Sequence, residues 1–245
     1  MVLNGVIVRI CFTLENWCAF LPDQAEGQAS YLLSSDDALN VSFLPPMKRR
    51  RLSNLSKLSL RLAHTVAPDF QGYCVFGSQH GELVTTQGLL ESIVQGEIVS
   101  PAGFSASVHN TAVGMHSINT KNTFPCTSLA AGIDTLAMCF VEAAALLTSG
   151  EAQEVLLVCA DDVVPGDLAD YVEGNEIRGF ATLVKSVDNP VGRAICLTQE
   201  DGNNKTEKNE SIRSIVSFLV NEKGKEQDPV VVPGETGQWR WQYEC

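Results

Sequence analysis

Basic residues are scarce in this 245-residue sequence: Lys and Arg total 17 against 29 Asp and Glu, a formal charge of −12. That balance disfavours non-specific binding to nucleic acid or to an anionic membrane. Histidine is scarcer still, with four residues at 64, 80, 109 and 116 and none beyond. There is no HxxxH, no Cys/His cluster and no CxxC spacing, so no ligand set points to a metal, and no glycine-rich loop points to a phosphate. No cofactor or metal is expected. Long apolar runs are also missing. The N-terminal MVLNGVIVRICFTLENWCAF is interrupted by Arg9 and Glu15, so it reads as a first strand near Val6–Phe12 and not as a signal peptide or membrane span.

What is present suits one large domain, residues 1–245, since 44% hydrophobic content is ample for a core. The eight cysteines lie mostly inside apolar runs such as VLLVCADD, a pattern that reads as reduced, buried thiols in a cytoplasmic protein.

Residues 22–46 are loop-rich. LPPMKRRRLSNLSKLSLRLAHTVA then carries leucines at helical spacing, and predicts one amphipathic helix with a basic first turn. Cations are unfavourable at a helix N-terminus. The cluster Lys48, Arg49, Arg50 and Arg51 therefore reads as a solvated helix start, a patch for an acidic partner, or a nuclear-import signal. GYCVFGSQ predicts a strand and ELVTTQGLLESIVQG a helix, followed by a probable-helix pattern over His109–Ile118. EVLLVCADD is continuously apolar, as a strand buried on both faces would be. GFATLVKSV and RAICLTQ read as two strands paired across DNPVG, residues 199–211 as a mobile loop, and SIRSIVSFLV as a last strand. The tail QWRWQY brings aromatics that pack against the body. Strand, turn, buried helix and strand around Cys126–Asp161 form a βαβ unit, so the fold class is α/β with layered helices and sheet.

The centre of that unit is FPCTSLAAGIDTLAMC, a strand, a glycine turn and a helix. In such an elbow the turn residue projects outward, where the helix's free amides and dipole stabilise negative charge. Here the turn is Gly132-Ile133-Asp134. It offers isoleucine, which has no lone pair, followed by an acid suited to cap the helix. Cys126 is seven residues earlier, on the order of 20 Å away along an extended strand. Cys139 falls on an apolar stretch of the helix. A nucleophile also needs a base within hydrogen-bond reach. The nearby pair His80 and Glu82, in SQHGE, is the remaining acid-base candidate.

With these residues in view, the sequence resembles the N-terminal half of β-ketoacyl synthases, enzymes of the thiolase fold. It is most similar to the short chain-length-factor type subunits of aryl polyene biosynthesis. The resemblance runs through MKRRRLSNLSKLSL, VFGSQHGEL, SPAGFSASVHNTAVGMHSI, SLAAGIDTLAMCFVEAAALL, VLLVCADD and WRW, and so covers most of the chain. It implies a layered α/β/α half-fold with a mixed, mostly parallel sheet. Ser100-Pro101, Asn110, Gly114 and Pro125 match ketosynthase positions without gaps and set Ile133 where a ketosynthase carries its active-site cysteine. The catalytic histidines and lysine of the C-terminal half have no counterpart in this sequence.

The resemblance implies a non-catalytic subunit that forms a heterodimer with an active β-ketoacyl synthase, with acyl carrier protein as a second partner. Phe104, His109, Asn110, Met115, His116 and Ile133 become candidates for the acyl tunnel or the partner interface, although ordinary packing accounts for each alone equally well. Lys48–Arg51 become candidates for contact with the partner or the carrier protein. Two other classes remain open: a small acyl-thioester transferase or hydrolase using Cys126 or His80–Glu82, and an interaction protein using the basic helix and the aromatic tail.

Overall fold

A computed structural model describes residues 6–24, 31–172, 175–188, 193–201, 211–220 and 228–244. Eight strands form one sheet: β1 (Val6–Phe20), β2 (Tyr73–Gly77), β3 (Cys126–Leu129), β4 (Glu154–Asp161), β5 (Arg178–Lys185), β6 (Ile195–Glu200), β7 (Val230–Gly234) and β8 (Gly237–Tyr243). Their order is β3-β2-β4-β5-β1-β6-β8-β7. The helices are α1 (Ser35–Ala38), α2 (Pro46–Arg49), α3 (Asn54–Val66), α4 (Leu83–Val94), α5 (Pro101–Ala106), α6 (Thr111–Thr120), α7 (Thr135–Thr148) and α8 (Ser211–Val220).

β4 shows why the layers form. Its odd residues Val155, Leu157 and Cys159 face a core shared with Leu136, Phe140 and Ala143 of α7 and with Ile215 and Phe218 of α8. Its even residues Leu156, Val158 and Ala160 face a second core with Leu55, Leu58 and Leu62 of α3. A strand covered on both faces has to be apolar throughout, which is the run the sequence carries. The contact of α7 with β2 is close: a side chain at Gly77 would collide with the Cys139 sulfur.

The α/β/α layering agrees with the sequence, and four details do not. The sheet is mixed, but its parallel part is confined to β3-β2-β4; every other pairing between these eight strands is antiparallel. GFATLVKSV and RAICLTQ do not pair with each other, because the long first strand lies between them, bonded to β5 on one side and β6 on the other. SIRSIVSFLV is the helix α8. Its β-branched content suggests a strand, but Ile212, Ile215, Val216 and Leu219 recur at helical spacing and are the residues it buries. The basic stretch does not open the long helix either. Lys48 and Arg49 belong to the single-turn α2, while α3 starts afresh with Ser53 as its N-cap, whose Oγ accepts from the Ser56 amide at 2.9 Å. The cations therefore lie outside the positive end of α3, which removes the dipole conflict.

The cysteines bring a further correction. Cys11 and Cys196 face each other across β1 and β6 and are joined as a disulfide, so the expectation of reduced thiols throughout fails there. They are 185 residues apart in sequence, and only the strand pairing brings them together. The region 199–211, expected as a loop, falls largely outside the described residues.

Candidate functional site

The elbow is built as the sequence predicts. β3 runs into Gly132, whose φ of 55° lies in the left-handed region open to glycine. A single 3-10 turn, Gly132–Asp134, then leads into α7. Thr135 ties the corner, its hydroxyl donating to the Gly132 carbonyl at 2.7 Å and accepting from the Ala131 amide at 3.0 Å. Ile133 sits on this corner, half-buried.

Asp134 does something other than the expected capping. Its side chain makes no cap bond to α7. Instead Oδ1 accepts from the indole Nε1 of Trp239 at 2.9 Å, and the carboxylate accepts from the Glu235 amide at 3.3 Å. Burial pushes its pKa up, and the Trp239 and Glu235 bonds pull part of the way back. The approach is tight on both sides. A methyl on Gly132 would lie 2.6 Å from Oε1 of Glu235, and one on Gly234 2.6 Å from Oδ1 of Asp134. The β7–β8 hairpin thus packs onto the elbow and occupies the space beside it.

Neither alternative nucleophile has a base at hand. Glu82 is buried, and its carboxylate accepts from the hydroxyls of Ser53 at 2.8 Å, Ser56 at 2.6 Å and Thr85 at 3.2 Å; among the described residues it makes no bond to His80. Cys126, half-buried at the start of β3, lies beside Cys74 in the parallel pairing. A hydrogen bond from Cys74 lowers its pKa, burial opposes that, and Asn122 lowers it further. Asn122 Nδ2 reaches both sulfurs, at 3.5 Å to Cys74 and 3.7 Å to Cys126. Cys126 is therefore a perturbed thiol, but no imidazole bonds to it among the described residues. His109 is engaged elsewhere. Nε2 meets the Ser78 carbonyl at 2.9 Å and so must donate, and Nδ1 is paired with Ser128 Oγ at 2.7 Å, whose hydroxyl also reaches the His109 carbonyl at 3.2 Å.

The remaining candidates separate into groups. Lys48, Arg51 and Met115 line one cavity of about 490 Å³ together with Met47, Leu52 and Ala102. Arg49 and Arg50 border a second recess of about 460 Å³. His116 is buried, its ring 5.5 Å from that of Phe76. Phe104 and Asn110 are exposed.

Phe104 belongs to a larger surface. β3 is an edge strand with every residue half-buried, and α4, which packs against α5, has no buried residue at all. Exposed apolar side chains concentrate on α4, α5 and the segment between them: Ile98 at 98%, Val94 at 87%, Phe104 at 64%, and Leu90 and Ile93 above half, with Ile118 of α6 also above half. An open strand edge and a cluster of exposed apolar side chains are each features that mark interaction surfaces.

The sequence matches the family described as Beta-ketoacyl synthase, N-terminal domain, over residues 23–242. The chain belongs to this family. No curated protein matches it. Among solved structures it is similar to a chain of the ketosynthase ApeO in complex with its chain length factor ApeC from Xenorhabdus doucetiae. That match has 25% identity and a TM-score of 0.76, over 95% of this chain and 99% of that one. Two more distant matches share the fold. The ishigamide ketosynthase/chain length factor is 16% identical, with a TM-score of 0.59 over 78% of this chain and 65% of that one. The AntDE:AntF complex of a type II polyketide acyl-carrier protein with its ketosynthase is 12% identical, with a TM-score of 0.52 over 74% and 64%. The ketosynthase match spans the elbow, the β3 edge and the closing hairpin together. No helix among the described residues is long and apolar enough to cross a membrane.

Sequence reasoning missed the Asp134–Trp239 bond and the Cys74–Cys126–Asn122 group. A signal for the first was present: QWRWQY alternates, and Trp239, Trp241 and Tyr243 are the buried set, as in a half-buried strand. For the second there was none, since 52 residues separate the two cysteines and only the β2–β3 register joins them.

Proposed function

We propose that this chain is a non-catalytic, chain-length-factor type subunit that pairs with an active β-ketoacyl synthase and helps to shape its acyl tunnel, in elongation of aryl polyene or polyketide-type acyl chains. The observation that carries this reading is the elbow: it is built like a nucleophile site but presents Ile133, with the hairpin bonded against it through Asp134 and Trp239. The likeness to the ApeO–ApeC complex supports it, as do the exposed apolar side chains of α4 and α5.

The physical logic of such a subunit is steric. Each CH₂ that a growing acyl chain buries in an apolar tunnel contributes about 0.8 kcal/mol, until its tip meets a bulky side chain and contact turns repulsive. Phe104, His109, Asn110, Met115, His116 and Ile133 are the candidate tunnel and interface positions, and Phe104 is the first to test because it is a large apolar side chain exposed on the surface. Lys48 and Arg51, at the rim of an apolar cavity, suit the acidic surface of a carrier protein or the catalytic partner. A cytoplasmic location is part of the proposal.

The test is co-expression with a ketosynthase, size-exclusion chromatography with intact mass, and carrier-protein assays with and without this chain. The expected result is a one-to-one complex whose condensation requires the partner's cysteine, with longer products from Phe104→Ala. A monomer or homodimer that turns over acyl thioesters alone overturns it.

A second reading, an acyl-thioester transferase or hydrolase acting through Cys126, draws on the lowered thiol pKa. It requires Cys126→Ser to abolish turnover; under the first reading that variant leaves partner-dependent condensation intact.

A further inference from the structure

Among the described residues, Cys18, Cys74, Cys139 and Cys159 are free thiols buried in the fold, and Cys126 is a free thiol that is only half-buried. Cys74 and Cys126 are partners in the parallel register of β2 and β3. Register partners point to the same face of a sheet, and both pack on the face that holds Leu55, Leu58 and Leu62 of α3. Neighbouring strands lie about 4.8 Å apart, inside the Cα spacing of about 4.4–6.8 Å that a disulfide spans. β3 is the edge strand and Cys126 its first residue, so this end can move toward β2 without breaking a pairing on its far side.

Asn122 draws the two sulfurs together. Its side chain is buried and its Oδ1 accepts from the amides of Phe124 at 3.2 Å and Gly72 at 3.3 Å. Its Nδ2 donates to the Gly72 carbonyl at 2.8 Å and reaches Sγ of Cys74 at 3.5 Å and Sγ of Cys126 at 3.7 Å. One buried amide thus ties the entry of β2 to the entry of β3, and both thiols converge on its nitrogen. The thiols are also hydrogen-bonded to each other, which raises the pKa of Cys74 and lowers that of Cys126. For Cys126 the bond from Cys74 outweighs burial, Asn122 adds to it, and the pKa falls to about 7. The half-exposed sulfur is therefore the one that ionises, and the buried one keeps its proton.

A second thiol pair gives the contrast. Cys139 and Cys159 are hydrogen-bonded to each other as well, but they are 0% and 1% exposed in the core under α7, where a polar solute does not reach.

We infer that Cys74 and Cys126 form a paired oxidation site, which reacts with a hydroperoxide at Cys126 and closes to a disulfide. In the first step the Cys126 thiolate attacks the nearer peroxide oxygen. A sulfur–oxygen bond forms, the oxygen–oxygen bond breaks, and the departing alkoxide or hydroxide takes up the proton that Cys126 released, which leaves a sulfenic acid. In the second step Cys74 Sγ attacks Cys126 Sγ. The sulfur–sulfur bond forms, the sulfur–oxygen bond breaks, and the hydroxide leaves as water with the Cys74 proton. Two thiols and one hydroperoxide become one disulfide, one alcohol or water, and one further water. The bond joins the two ends of segment 75–125, which carries α4, α5 and α6 and with them the exposed Val94, Ile98 and Phe104. The inference stands whether or not the proposed function holds.

The test treats the full chain with hydrogen peroxide and reads it by non-reducing tryptic mass spectrometry. Lys121 lies between the two cysteines, so cleavage there separates them unless a disulfide holds the fragments. The expected product is a linked pair, located by fragmentation at Cys74 and Cys126 and lost on treatment with dithiothreitol, while Cys139 and Cys159 stay reduced. Cys74→Ser should stop at the first step and give a dimedone adduct at Cys126. Cys126→Ser should give no adduct at Cys74 and should slow peroxide consumption at least tenfold. Oxidation of wild-type Cys126 to the sulfinic acid with no link to Cys74, a link that forms first between Cys139 and Cys159, or free thiols throughout after peroxide would overturn the inference.

Discussion

The two ends of the sheet are finished differently. At the β6-β8-β7 end, aromatic rings close the molecule: Phe12 stacks on Phe140 with centroids 4.8 Å apart, Trp241 meets Phe140 edge-on at 5.0 Å, and Phe218 stacks on Tyr243 at 4.6 Å. At the β3 end the edge strand stays half-covered, and α4, α5 and the segment between them leave Val94, Ile98 and Phe104 in water. The first end completes a core within the subunit; the second leaves apolar side chains open, where the proposed function puts the partner. The difference separates residues that hold the fold from residues that serve an assembly, and substitutions at the two ends should fail in different assays.

The largest effect belongs to the closed end. Trp241 is 2% exposed and sits in the ring cluster, so Trp241→Ala should cost about 3–5 kcal/mol, read as a lower urea midpoint. An unchanged midpoint would mean that the hairpin is not part of the cooperative core.

Next comes His116, beneath the open end. Its folded pKa is about 4, below the ordinary value of 6.5. A depressed pKa means that the unfolded chain takes up the proton first. The stabilisation is therefore complete above about pH 6.5 and is lost as pH falls toward 4, by up to about 3 kcal/mol. Asp134 runs the other way. Its pKa is raised, so its contribution is complete below the ordinary carboxylate value and is lost as pH rises through the raised one. Denaturant titrations from pH 7 to 4 should show a slope that His116→Leu flattens. A slope identical in that variant would assign the pH dependence elsewhere.

Smaller in stability, though not in assembly, is the double change Val94→Asp with Ile98→Asp. Both side chains are in water, so the unfolding free energy should move by less than about 0.5 kcal/mol, while the one-to-one complex with the ketosynthase is lost on size exclusion. Loss of the fold, or survival of the complex, would break the distinction between the ends.

Much of this was legible in the sequence where one element carries its own pattern. The apolar run of β4 announced burial on both faces, and Gly132 with Ile133 announced an elbow without a nucleophile. What stayed hidden depends on which distant segments meet. Nothing local to Cys11 points to Cys196, and nothing local to Asp134 points to Trp239, 105 residues on. The basic cluster was misplaced for a local reason: Ser53 ends one turn and caps the next, and a leucine spacing that continues across the break hides it. Antiparallel pairings dominate because β1 runs for 15 residues and pairs with β6 through its first half and β5 through its second, which puts it between the two strands whose sequence suggested a hairpin.

The smallest expected effect is at Ile133, where the comparison is sharpest because the position lies at the start of α7 between both ends. Ile133→Cys would put a thiol at a helix N-terminus, where free amides favour the thiolate. Reactivity toward iodoacetamide should rise above that of Cys139, which is fully buried. Turnover should not follow. Condensation also needs a base and a proton donor at the reacting carbon, and the candidates named above are engaged elsewhere: His109 is bonded to Ser128 and the Ser78 carbonyl, His116 is buried against Phe76, and the Asp134 carboxylate is bound by Trp239 and Glu235. Mass spectrometry of Ile133→Cys with an acyl thioester should find, at most, a stable acyl adduct and no extended product. Extension by the isolated variant would mean that the elbow retains a complete catalytic environment, and the hairpin clamp would then have to be reread as a gate.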